Sequence, residues 1–372
     1  MTLAQGGVSA EPHGPGGDGR PARAAYRIAP VLGPSSPLGG PDGRHWAEAG
    51  AAERAWLGGL PRFGGHLELR CTAGESGRIR AALLVRGAAA APEQAAGLVR
   101  ALVGDALPPH VVAAPADVAE ELNPLGTAPA VLDLYEIRKQ LRQYRLAAPG
   151  APRLTATVAV PLGPGGSWEP VWAELARQPV PTCLAVSLEP FALPAGTIPL
   201  LGRFADVYRE LARPSAGSPV WGQARRGDPA AEAGQRFFED ALHRYQGRVF
   251  RLRMRLAAAG PVPPVLPQLI AGLIGGEAVH LRTDAQRARA WHDFSTLDLD
   301  PLPDSHRPVG APDTEWTEPE QELVGLVDLD EAAAALRLPY EFPGRTGRLF
   351  ARLPQAPAPP TPPAPGDLPT LH

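Results

Sequence analysis

The sequence predicts an α+β fold of two packed units with unstructured ends. Three observations carry this expectation. Segments of strand period alternate with segments of helix period through the middle of the chain. The strands group as a hairpin and antiparallel-looking pairs, which argues against a doubly wound parallel sheet. Both ends are dominated by proline and glycine, which number 46 and 41 among 372 residues.

Residues 1–44 carry Gly14-Pro15-Gly16-Gly17 and Gly33-Pro34-Ser35-Ser36-Pro37 without periodicity. They are expected to form a disordered arm. A first α+β unit is assigned to 45–165. Trp46 to Leu57 suits a short helix. Leu67, Leu69 and Cys71 alternate with Glu68 and Arg70, the pattern of a strand with one buried face. Gly74 to Gly77 supplies a turn, and Arg78 to Val85 completes a hairpin. Pro92 opens a helix from Glu93 to Val103. Asp117 to Leu122 suits a short helix. Leu134, Ile137, Leu141 and Tyr144 fall at 3–4–3 spacing and are expected on one helix face. Leu154 to Val160 alternate as a strand.

A second unit is assigned to 166–345. Ser167 is placed to cap a helix from Trp168 to Arg177. Leu184, Val186 and Leu188 mark a strand. Ile198, Leu201, Phe204, Tyr208 and Leu211 mark a helix stripe, and Pro229 to Tyr245 a further helix. Phe250, Leu252, Met254 and Leu256 alternate strictly with Arg251, Arg253 and Arg255, the cleanest strand pattern in the chain. Pro264 to Ile274 reads as a helix. Asp293 to Glu331 holds twelve acids against one arginine and is expected to be an acidic surface loop near 293–331. Within its end, Val324 to Val327 suits a strand, and Asp330 to Leu336 a short helix. Residues 346–372 are expected to be a proline-rich disordered tail. Two ferredoxin-like α/β sandwich units accommodate this order. The similar patterns of Leu67–Val103 and Val249–Ile274 suggest a duplication.

Composition bounds the chemistry. A formal net charge of −3 implies no general attraction to nucleic acid or anionic membrane. Cys71 and Cys183 are too few for a disulfide framework or a cysteine-based zinc site, and both sit in apolar runs. No run of about 18 apolar residues suggests a membrane span, and the first residues lack a secretory pattern. A cytoplasmic location is expected. Of 36 basic residues only Lys139 is a lysine, and no glycines of a phosphate-binding loop precede it. Helical zinc-protease, nucleophile-elbow and dinucleotide motifs are also missing. No cofactor, metal or catalytic residue is assigned.

Four features remain as candidates. Gly163 to Ser167 precedes a helix and suits either a flexible cap or an anion cradle. Arg244, Arg248, Arg251, Arg253 and Arg255 form the candidate interaction site. Their face suits phosphates, the solvated side of an edge strand, or the acidic 293–331 segment. Arg138, Lys139, Arg142 and Arg145 stripe the helix expected there and suit a solvated face or, next to that, a contact with a partner or nucleic acid. His280, Asp284 and His292, near Trp291, would serve an enzyme of unfamiliar type if they converged.

Leu60-Pro61-Arg62-Phe63-Gly64-Gly65-His66-Leu67-Glu68-Leu69-Arg70 is followed by Ile79 to Arg86. Trp172-Ala173-Glu174-Leu175 leads into Gln178-Pro179-Val180-Pro181 and Ala185 to Pro190. Leu326-Val327-Asp328-Leu329-Asp330-Glu331-Ala332-Ala333 precedes Leu336-Arg337-Leu338-Pro339. Together these strings resemble the region preceding the motor domain in actinobacterial ATP-binding proteins of the HerA/FtsK type. After Pro339 too few residues remain for a motor, and no Walker A motif is present. The resemblance therefore implies a non-catalytic accessory subunit beside a separately encoded ATPase, in DNA transfer or phage defence. The alternatives are a DNA-binding module using the arginine-lined strand, and the unfamiliar enzyme.

Overall fold

A computed structural model describes residues 22–31, 44–63, 65–74, 76–87, 93, 94, 97, 100–126, 132–146, 154–214, 227–297, 323–341 and 348–353. The chain starts with β1 (Ala22–Pro30), α1 (Arg44–Leu57), β2 (His66–Ala73) and β3 (Ile79–Gly87). Helical residues at 93, 94, 97 and 100 run into a π-turn at Ala101–Asp105, and β4 (Val111–Ala116) and α2 (Val118–Leu122) follow. The π-turn has a local cause. The Trp56 indole N–H donates to the Leu102 carbonyl at 3.0 Å, and Ala106 N–H reaches back to Ala101.

Next come β5 (Asp133–Arg138), the β6–β7 hairpin (Leu141–Leu146, Leu154–Ala159), α3 (Glu169–Ala176) and β8 (Thr182–Phe191). A helical hairpin of α4 (Thr197–Ala212) and α5 (Pro229–Tyr245) leads to β9 (Val249–Ala258). The chain continues through α6 (Val265–Ile274), β10 (Glu277–His280), α7 (Asp284–Thr296), β11 (Leu326–Val327) and α8 (Leu329–Ala335).

The fold is α+β. Its nine-stranded sheet has the order β10-β5-β9-β8-β2-β3-β1-β4, with β11 also on β9, and every pairing between these strands is antiparallel. The order contains a repeat. Among β1 to β4 the first strand lies between the fourth and third, with the second outermost. Among β5, β8, β9 and β10 the same holds. The two outermost second strands, β2 and β8, pair with each other from Leu67↔Leu188 to Ala73↔Thr182.

Alternation decides the two faces. Leu67, Leu69, Leu83, Val186, Leu188, Met254 and Leu256 point to one face and join Trp56, Trp172, Leu266 and Ile270 in the main core. On the other face Cys183, Ala185 and Ala257 pack with Ala290 and Phe294 of α7. The α4–α5 hairpin has its own core around Tyr208 and Phe238, whose rings stack at 5.3 Å.

Several expectations are corrected. The arm assigned to 1–44 contains β1, an interior strand between β3 and β4. Its alanines make an apolar face too slight to stand out from flanking glycine and proline. The helix expected across Leu134, Ile137, Leu141 and Tyr144 is two strands, β5 and β6. Leu134 and Ile137 are both buried, on opposite faces of β5, so the period-2 signal vanished. The unit boundary at 165/166 does not follow the sheet, because β5 pairs with β9 and β10. The acidic loop at 293–331 has ordered ends in α7, β11 and α8, and residues 298–322 lie outside the described set. In the tail assigned to 346–372, Phe350 is buried and bridges Ile79.

Candidate interaction site

Strand β9 carries three of the five candidate arginines. Strict alternation sends Met254 and Leu256 into the main core and Arg251, Arg253 and Arg255 to the opposite face. β9 is an interior strand, bonded to β8 on one side and to β5 and β11 on the other. The edge-strand reading is therefore corrected. The reading that paired this stripe with the acidic segment holds at two positions. Arg255 Nη2 lies 2.7 Å from Asp293 Oδ2 and its Nε lies 3.5 Å from Glu136. Arg244 reaches Asp240 at 2.7 Å and Asp328 at 3.5 Å.

The other three arginines are also engaged within the chain. Arg248 donates to the carbonyl of Gly58. Arg251 approaches Glu189 at 3.8 Å and lies 4.2 Å from the centroid of the Phe191 ring. Arg253 is 8% exposed. Burial pulls its pKa down to about 10, against the opposing pull of Glu136, and it remains a cation at neutral pH. The structure gathers Arg251, Arg253 and Arg255 on one face, while Arg244 and Arg248 lie on α5 and in the turn after it.

Three buried ionic clusters were not identified from sequence. The first is Lys139, expected on a solvated helix face. It lies just past β5, 2% exposed, with Nζ 2.6 Å from Glu331 and 3.1 Å from the Tyr245 hydroxyl. Of its expected stripe, Arg138 pairs with Glu277 at 2.6 Å, and Arg142 and Arg145 lie on β6. The second cluster spans the β2–β8 junction. Arg70 Nε donates to Glu68 at 2.5 Å, and Ser187 from β8 donates to the same carboxylate. The remaining Arg70 nitrogens donate to the carbonyls of Glu121 and Leu122 at 2.9 and 2.8 Å, and to that of Phe294. Arg70 thus satisfies terminal carbonyls of α2 and α7, which a helix leaves without internal partners. Glu68 is held low: burial works against its charge, but Arg70, His66 and Ser187 outweigh that. The third cluster joins Glu53 of α1 to His110 at 3.0 Å and to Arg337 at 2.5 Å.

The remaining candidates separate. His280 Nε2 lies 2.7 Å from Asp133, and its ring stacks on Tyr135 at 4.5 Å. Asp284 pairs with Arg287, and the His292 carbonyl accepts from the hydroxyls of Ser295 and Thr296. Among the described residues no three His, Cys, Asp or Glu side chains are placed to hold a metal. The Gly163–Ser167 loop packs closely. Gly163 N–H donates to Ile274 O at 2.9 Å, and a Cβ on Gly166 would stand 3.1 Å from Leu273. Cys71 and Cys183 are buried thiols, and burial pushes the Cys183 pKa up to about 11. No described helix is long and apolar enough to cross a membrane.

Each half of the sheet also forks. Near the start of β9, β11 takes the place beside it that β5 has left, and a cavity of about 20 Å³ remains between them. At the start of β3, the segment around Phe350 takes the place left by β1, and a groove of about 270 Å³ remains. No protein-family model and no curated protein matches the chain.

Proposed function

We propose that the protein is a non-catalytic assembly subunit that acts beside a separately encoded HerA/FtsK-type ATPase, and that its sheet is two ferredoxin-like units joined edge to edge. The repeated strand order supports the second part. One observation carries the first: the buried ionic clusters tie α1, α2, α7 and α8 to the sheet, giving a rigid platform, while the α4–α5 hairpin presents partly exposed apolar residues. Val207 of α4 is 39% exposed, and Ile198, Phe204, Leu211 and Phe237 of the hairpin are only half-buried. Apolar side chains left accessible on a helical hairpin suit protein contacts.

A DNA-binding role for the β9 arginines is disfavoured, because Arg253 and Arg255 are 8% and 5% exposed. Phosphate contact needs accessible cations. The proposed compartment is the cytoplasm. The test is gentle purification of tagged full-length protein from its native host. A stoichiometric Walker-type ATPase in the eluate supports the assembly role, and a preparation free of any ATPase removes it.

A further inference from the structure

Among the described residues, one wall of the groove at the fork between β1 and β3 carries backbone groups with no partner. Ile79 N–H donates to Leu349 O at 2.8 Å, and Ala351 N–H donates to Ile79 O at 2.9 Å. Those bonds use one edge of the 349–351 segment. In an extended segment alternate residues face opposite edges, so the N–H and C=O groups of Phe350 and Arg352 face away from β3. On that side the end of β1 offers little. Pro30 has no N–H, and Val31 N–H is committed to His110 O at 2.9 Å.

The lining is apolar: Ala29, Pro30, Val31, Val112, Phe350 and Leu353. Val112 is 46% exposed. Two charged side chains line it, Arg352 and Glu341, and further arginines lie close in sequence. Arg352 lines the groove and is exposed, as are Arg348 and, next to Ile79, Arg78. Among the described residues no carboxylate pairs with these three. Glu341 also lines the groove and is engaged within the chain.

The adjacent free edge does not compete. Ladder bonds between β1 and β4 fall at Ala29↔Val112, Arg27↔Ala114 and Ala25↔Ala116, in phase with Val31 and His110. Val111, Ala113 and Pro115 therefore face outward. Pro115 has no donor, and Val111 N–H turns back to Pro108 O at 3.2 Å. Only Ala113 keeps an outward N–H, so β4 is a poor template for another strand.

We propose that this groove is a strand-addition site for an extended apolar segment flanked by carboxylates, supplied by a partner protein. Backbone pairing to Phe350 and Arg352 gives affinity, and alternate apolar side chains against Val31 and Val112 give specificity. Flanking carboxylates meet Arg352 and Arg348. The chain's own Glu322-Leu323-Val324-Gly325-Leu326-Val327-Asp328 is an apolar stretch between two acids and supplies a probe of this chemistry, although its β11 residues hold beside β9 the place that the Phe350 segment holds beside β3. The proposal rests on the reading that the chain works by binding other proteins, and it names the chemistry of one such contact.

The probe is a fluorescein-labelled synthetic peptide of sequence ELVGLVD, titrated into the full-length protein and followed by fluorescence polarisation. Saturable binding is expected, weakened at least tenfold by Val112→Asp, by Arg352→Glu, and by replacing both peptide acids with lysine. Both substitutions are at exposed positions, and circular dichroism melts confirm that the variants fold. Absence of saturable binding overturns the site. So does binding that survives both substitutions, since the peptide would then be displacing β11 or binding elsewhere. The titration contains no ATPase, so its failure leaves the co-purification result standing and the two ideas are judged separately.

Discussion

Lys139 Nζ and Glu331 Oε1 lie 2.6 Å apart with both side chains almost wholly buried. Glu331 has further duties. The same oxygen accepts from Leu162 N–H at 2.8 Å, and its other oxygen accepts from Asp328 N–H at 2.9 Å. Asp328 returns the bond by accepting from Glu331 N–H at 2.8 Å, which caps α8. One carboxylate therefore connects β5, the loop before α3 and the start of α8.

Removing the ammonium leaves that carboxylate buried without its cation. Lys139→Met is expected to cost about 3–5 kcal/mol, measured by urea denaturation. Lys139→Arg is not a conservative rescue, since a planar guanidinium replaces a compact ammonium. Amine-reactive ester should modify the native full-length chain at the N-terminus alone, with Lys139 labelled only in denaturant. Mass spectrometry that finds rapid native labelling of Lys139 would contradict its burial.

The same cluster sets an alkaline limit. Burial pulls the Lys139 pKa down, but Tyr245 and Glu331 pull it up by more, and the net is a rise. Burial raises the Tyr245 pKa, against the pull of Lys139. Both groups hold their protons more tightly in the folded state. Their contribution is complete below the unfolded values near ~10 and is lost as pH rises through the higher folded values. Stability from urea melts should fall above about pH 10, and Tyr245→Phe should flatten that fall.

Charge reversal on β9 should separate sharply between neighbours on one face. Arg251 keeps 26% side-chain exposure and approaches Glu189 at 3.8 Å. Arg251→Glu is expected to cost under ~1 kcal/mol. Arg253 is 8% exposed, and a carboxylate there would be buried beside Glu136. Arg253→Glu is expected to cost more than ~3 kcal/mol. Equal thermal shifts for the two variants would refute the assigned burial. Arg251 alone is therefore useful for probing a contact with another molecule.

Gly234 on α5 sets two principles against each other. Alanine in a helix interior gains about 1 kcal/mol over glycine. A Cβ at Gly234 would meet the Tyr208 ring at 2.5 Å, and overpacking costs ~1–3 kcal/mol. Because Tyr208 is fully buried, its ring has little room to yield, and the cost should win. Gly234→Ala is expected to lower the melting temperature, and a rise would show that α4 and α5 separate easily.

Most element types were legible in local residue patterns. Strict alternation marked β9, the hairpin of β2 and β3 was marked by its turn, and Asp117 marked the start of α2, where its carboxylate accepts from Glu120 N–H. Those signals are local, since they depend on side-chain period and on residues within a turn of each other. Tertiary structure decided the rest. β1 was hidden because alanine on a strand looks the same as alanine in an unstructured arm until another strand covers it. β5 was hidden because both of its faces are buried. The arginine stripe, whose residue types were plain in the sequence, became a partly buried ionic face only when Asp293 of α7 and Glu136 of β5 were brought to it from elsewhere in the chain. Lys139 could not be assigned from its neighbours in sequence, because a lone cation becomes buried only where the fold delivers a carboxylate from far along the chain.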